Sequence, residues 1–190
     1  SLVGSEMCIR DRLGNLININ VDKHPFIGGI VISVSMGIFL TLPISSAAIG
    51  IMLGLSGLAS GAATIGCCCQ MVGFAVMSFK ENKVGGLISQ GIGTSMLQMP
   101  NIIRHPQIWI PPIISSAILA PVSTMVFKMV SNPVGSGMGT SGLVGQFSAY
   151  AVMVGAGTHP ATAVIQIMAM HFVLPALVTY ITVSYTHLRA

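Results

Sequence analysis

Residues 26–79 read FIGGIVISVSMGIFLTLPISSAAIGIMLGLSGLASGAATIGCCCQMVGFAVMSF, 54 positions without a single Lys, Arg, Asp, Glu or His. As one helix this stretch would be roughly 80 Å long, at about 1.5 Å per residue. A bilayer core needs only about 20 residues. The run therefore holds more than one apolar segment, and a soluble domain has no way to solvate it. Asp22-Lys23-His24-Pro25 precedes it as a polar break, with Pro25 suited to the first helical turn. The run divides into a first span, 26–42, stopped at Pro43, then a short second span, 44–59, with a joint at Ser60-Gly61, and a third span, 62–79.

The rest of the chain agrees. Mean hydropathy is +0.85 and charged residues are 6%, where soluble domains sit near 25%. The composition specifies an all-α, polytopic integral membrane protein. The apolar runs are too long for a cleaved signal peptide. The net charge of +4 is scattered without a basic patch or interleaved aromatics, which excludes a nucleic-acid partner.

The two ends share one origin. A DNA sequence encoding 2–12, read on its opposite strand, encodes Val183 to Ala190. That element resembles a sequencing-library transposon adapter. Residues 1–12 and 183–190 are accordingly expected to be adapter-derived, with 13–182 a partial transmembrane domain. Within 13–182 the charged residues are Lys23, Lys80, Lys83, Arg104, Lys128, Asp22 and Glu81, and the histidines are His24, His105, His159 and His171.

Beyond the charged loop 80–83, the glycine-bearing piece 84–99 is short for a span and suits a broken or tilted helix. Pro100 to Pro106 forms a polar turn, and Trp109 sits where an interfacial aromatic would. Residues 110–130 read as a full span interrupted by three prolines. Residues 131–145 carry five glycines and no charge. Irregular backbone at membrane depth is tolerated only where protein or a water-filled cavity satisfies it, so this segment reads as a re-entrant glycine-rich loop. A short apolar piece, 146–157, follows, and the last span is 161–182, with Pro175 inside it.

Small residues recur at four-residue spacing as Gly50/Gly54, Gly57/Gly61 and Ser56/Ser60. They suit close helix packing within one protomer or a dimer face. Cys67, Cys68 and Cys69 point about 100° apart on a helix, so they read as small apolar fillers and not as metal ligands. No metal site, cofactor or catalytic group is predicted. The amides Gln70, Gln90, Gln98, Asn101, Gln146 and Gln166 carry more information. Each costs several kcal/mol in hydrocarbon unless paired. They serve either as helix–helix links or as the lining of a path for a neutral polar solute. Arg104 and His105 suit an interfacial position or an anion contact, and His171 within the last span, an ionisable group at membrane depth, suits either a functional or a satisfied structural role. The candidate solute-binding residues are Gln70, Gln98, Asn101, Thr140, Ser141, Gln146 and His159.

Four stretches carry a family resemblance: LPISSAAIG at 42–50, GLASGAA at 57–63, MPN at 99–101 and GTSGLVG at 139–145. They resemble the membrane subunit IIC of the phosphoenolpyruvate-dependent sugar phosphotransferase system, in the branch that includes PfoR-type toxin regulators. The resemblance implies a multi-pass permease of the bacterial inner membrane, a homodimer when full length. It would translocate a sugar for phosphorylation by a IIB partner, itself charged by IIA. This chain shows no phospho-carrier site. It also lacks the GITEP-like glutamate motif of the better-known sugar-specific members. A membrane sensor or regulator built on the same fold therefore stands as the alternative.

Overall fold

A computed structural model describes residues 2–186 of the chain. The parts of the terminal reading that fall on residue 1 and on 187–190 lie outside the described residues. Eleven α-helices are joined by single π-helical and 3-10 turns, and no strand forms among the described residues. In chain order they are α1 Leu2–Lys23, α2 Pro25–Thr41, α3 Ser46–Met52, α4 Gly57–Met77, α5 Phe79–Ile88, α6 Met99–Arg104, α7 Ile110–Pro121, α8 Pro133–Ser136, α9 Val144–Gly155, α10 Pro160–Met168 and α11 Leu174–Thr186.

Three continuous helical stretches are long and apolar enough to cross a bilayer: Gly57–Met77, Pro106–Val126 and Pro160–Tyr185. The first is the axis of the molecule. Its apolar window is 94% buried, against 28% for the last. A helix apolar all round and enclosed by protein is a core helix, whereas the last stretch keeps most of its apolar surface outward, as a lipid-facing helix does. Helices α2, α7, α8 and α11 pack around α4. Small residues allow this. A Cβ on Gly66 would overlap the Ser33 carbonyl of α2, and a Cβ on Gly61 would overlap the Met129 carbonyl. Gly50 of α3 meets Pro133 and Ser136 of α8 in the same way. The four-residue glycine pattern thus serves packing within the chain at Gly50 and Gly61, while Gly54 and Gly57 face open space.

The long charge-free run breaks at Pro43 as predicted, but its second break differs from expectation. Residues 44–59 do not form a span. Only the short helix Ser46–Met52 and the first residues of α4 are helical there, the former capped by Ser45, whose hydroxyl accepts from Ala48 N at 3.3 Å. The chain then turns through Gly54 and Gly57, both at positive φ, and the long helix begins at Gly57. Ser60-Gly61 is no joint but lies inside α4. The physical reason is that Gly61 is small to admit the Met129 backbone, not to break the helix.

The broken segments fall where the i→i−4 ladder is weakened. Pro121 and Pro175 each remove one ladder donor and crowd the preceding turn. One π-helical turn, Val122–Val126, follows Pro121, and another, Ala169–Val173, precedes Pro175. A third, Ser89–Gly93, carries Gly91 and Gly93. All three pack against α4. Trp109, expected at an interface, instead packs on the cluster of Phe74, Met77, Ile102 and Ile108, and its indole Nε1 donates to Gln70 Oε1 at 3.2 Å.

Candidate functional site

The glycine-rich segment 131–145 lies folded against the middle of α4. Ser131, Gly135, Ser136, Gly137, Gly139 and Thr140 are buried. A loop this deep needs partners for its backbone, and neighbouring hydroxyls supply them. Ser60 Oγ donates to Asn132 O at 2.7 Å, and Ser46 Oγ donates to Gly137 O at 2.6 Å. Asn132 Oδ1 accepts from Gly135 N at 2.8 Å, which starts α8. Gly145 N returns to Gly139 O at 3.0 Å and closes the loop. Gly139 stands at φ 54 with Cys67 directly beneath it, so both its conformation and its contact require the missing side chain.

The loop bridges two of the π-helical turns. On one side Thr140 Oγ1 donates to Gly91 O at 2.5 Å, and Ser141 Oγ donates to Gly93 O at 2.9 Å. On the other side Gln146 Nε2 lies 3.0 Å from Nδ1 of His171 and 3.6 Å from Cys68 Sγ. Gln146 Oε1 is buried without a hydrogen-bond partner. A cavity of about 520 Å³ opens beside this line, walled by Ile92, Leu143, Phe147, Met168 and Phe172 with Gln146 at its edge.

Of the predicted solute-binding residues, Thr140, Ser141 and Gln146 form this one constellation. Gln70 is on α4 facing Trp109, and its Nε2 is buried without a partner. Gln98 and Asn101 form a local pair, with Asn101 Nδ2 donating to Gln98 Oε1 at 2.9 Å. His159 is exposed and its Nδ1 caps α10 by accepting from Ala161 N at 3.3 Å. Arg104 and His105 are exposed. The cysteines act as fillers. Cys67 Sγ rests between the carbonyls of Met36 and Ser136, and Cys69 belongs to the cluster of Leu119, Met129, Met153 and Ile167.

Two participants lie outside the predicted solute-binding set. His171 read as either a functional or a satisfied structural group, and its partner is the loop-end amide Gln146. The carbonyls of Gly91 and Gly93 carry no side-chain signal; only the glycines hinted at exposed backbone there. Among the described residues no group of three His, Cys, Asp or Glu could hold a metal ion. The constellation offers hydroxyls, amides and backbone carbonyls, which can both donate to and accept from a neutral, hydroxyl-rich molecule.

A family model described as "Phosphotransferase system, EIIC" matches residues 7–189. No curated protein and no solved structure matches the chain.

Proposed function

The chain belongs to the phosphotransferase system EIIC family, and from this premise we propose that its glycine-rich loop lines the route of a neutral sugar across the membrane. The chain is a membrane component of a sugar phosphotransferase permease. The observation that carries the proposal is the burial of the uncharged segment 131–145 against the centre of α4, Cys67 and Cys68, between two π-helical turns. Irregular backbone held at the depth of a membrane-spanning helix is the feature by which transporter cores expose carbonyls, hydroxyls and helix ends to a solute. Thr140, Ser141 and Gln146 are the side chains we assign to that route.

A sugar hydroxyl stripped of water in an apolar site loses about 1–3 kcal/mol without a new partner. Hydroxyl and amide groups replace that water without fixing a charge. The phosphoryl transfer belongs to the IIB partner, which receives the sugar as it reaches the cytoplasmic side. By its resemblance to the IIC subunits, the full-length protein is proposed to be a multi-pass homodimer of the bacterial inner membrane.

The test is uptake of radiolabelled sugars by membrane vesicles containing the full-length protein, with and without IIB, IIA and phosphoenolpyruvate. Accumulation of sugar phosphate only when all three are present is the expected result. Uptake that needs neither partner nor donor would overturn the proposal.

A further inference from the structure

Thr140 and Ser141 are consecutive, and their hydroxyls close on the alternate carbonyls Gly91 and Gly93 of one π-helical turn. The inner bond is buried and the outer one exposed, so the pair can open from its Ser141 end. A π-helical turn is a local irregularity with fewer constraints on its carbonyls than regular helix, and such turns recur at functional sites. The other side of the pair is also irregular. Gly142 stands at φ 54, and Leu143, a branched residue, stands at φ 60. An L-residue held left-handed costs about 1–2 kcal/mol, and the loop keeps this conformation only while its surroundings impose it.

Beneath the loop lie two thiols. Cys67 sits under Ser136 and Gly139, and Cys68 under Gln146. Both are fully buried and both are near the midpoint of α4. The loop is therefore the cover over the centre of the spanning helix, and the two hydroxyl bonds fasten its edge.

We propose that the bonds Thr140–Gly91 and Ser141–Gly93 are a latch that gates a water-accessible route to the midpoint of α4. Latched, the loop seals Cys67. Unlatched, it turns at Gly142-Leu143, frees two carbonyls and two hydroxyls toward the route, and uncovers the Cys67 thiol, while Cys68 stays under Gln146 beyond the hinge. The four freed groups form two donor–acceptor pairs, and a hydroxyl of a neutral solute can substitute within each pair because it donates and accepts at once. The gate serves the permease reading above. The latch itself is a statement about the conformations of this chain and stands or falls without any sugar.

The native cysteines supply the test. The full-length protein, in lipid vesicles, is treated with a cationic, membrane-impermeant methanethiosulfonate, and Cys67, Cys68 and Cys69 are each followed by peptide mass spectrometry. Thr140→Val is expected to raise the modification rate of Cys67 about tenfold, the size of one lost net hydrogen bond. Ser141→Ala, at a half-exposed position, is expected to give a smaller rise of about threefold. Thr140→Ser keeps the hydroxyl and is expected to stay at the unsubstituted rate. Cys69 faces a different cluster, with Leu119 and Ile167, and reports general loosening. A rise larger at Cys67 than at Cys68 and Cys69 supports the latch. Unchanged rates in both Thr140→Val and Ser141→Ala, or a parallel rise at Cys69, would overturn it, whatever the outcome of the uptake experiment.

Discussion

Gln146 at the start of α9 and His171 in the π-helical turn before Pro175 meet at 3.0 Å, joining the end of the glycine-rich loop to the last spanning stretch. Both are buried, His171 at 1% exposure and Gln146 at 8%. Two polar side chains in an apolar interior stabilise only as a pair, because either alone keeps its desolvation cost. Gln146→Leu or His171→Phe alone should each destabilise the fold by about 1–3 kcal/mol. The double variant should cost less than the sum, with a coupling of about 1 kcal/mol. Reversible unfolding in mixed detergent micelles measures both. Additive effects would show that the pair is not coupled.

Gly66 tests the packing of α2 on α4. Gly66→Ala places a methyl into the Ser33 carbonyl and should destabilise by about 1–3 kcal/mol, since both partners are helix backbone and cannot yield locally. Gly85→Ala is the control. No atom lies within 4 Å of its added Cβ, so it should be neutral or stabilise by about 0.5–1 kcal/mol through helix propensity. Equal effects at the two sites would contradict the described approach of the helices.

Gly139 carries two demands at once, a positive φ and contact with Cys67. Gly139→Ala should therefore cost at least about 1–2 kcal/mol from conformation alone, with overlap added. The expected readout is a lower unfolding midpoint together with faster amide exchange in 138–145. An unchanged exchange pattern would show that the loop does not rest on α4 at this point.

Trp109 is the single tryptophan of the chain and reports on Gln70. Gln70→Leu removes the acceptor of the indole N–H, so the fluorescence emission should move to shorter wavelength. Stability should fall by about 1 kcal/mol, net of removing a buried amide whose Nε2 already lacks a partner. A red shift would place the indole in water instead.

Much of this architecture was legible in the residues. The charge-free run announced buried and membrane-facing helices because no other arrangement hides so much apolar surface. Pro25 marked a helix start and Pro43 a stop through ring geometry, which acts locally. The glycine-rich segment was recognisable as irregular and buried because it lacked both helix formers and charge. The misreading at 44–61 has a physical cause. Glycine serves two ends, turning the chain and admitting a neighbour, and sequence does not separate them. Gly54 and Gly57 turn it, while Gly61 admits Met129. The solute-binding candidates behaved likewise. Thr140, Ser141 and Gln146 are near each other in sequence and stayed together, whereas Gln98, Asn101 and His159 satisfy local bonds.

Composition and spacing alone determined that this chain lives in a membrane, is helical, and carries one buried irregular loop. Those outcomes follow from solvation and local backbone sterics, which every residue expresses wherever it sits. Only the tertiary structure decided that α4 is the enclosed axis, that Thr140 and Ser141 fasten onto Gly91 and Gly93, and that Gln146 reaches His171. Those contacts join residues 25 to 49 positions apart. Hydrogen-bond partners across such distances are chosen by how the helices pack, and packing depends on the shape of the whole interior.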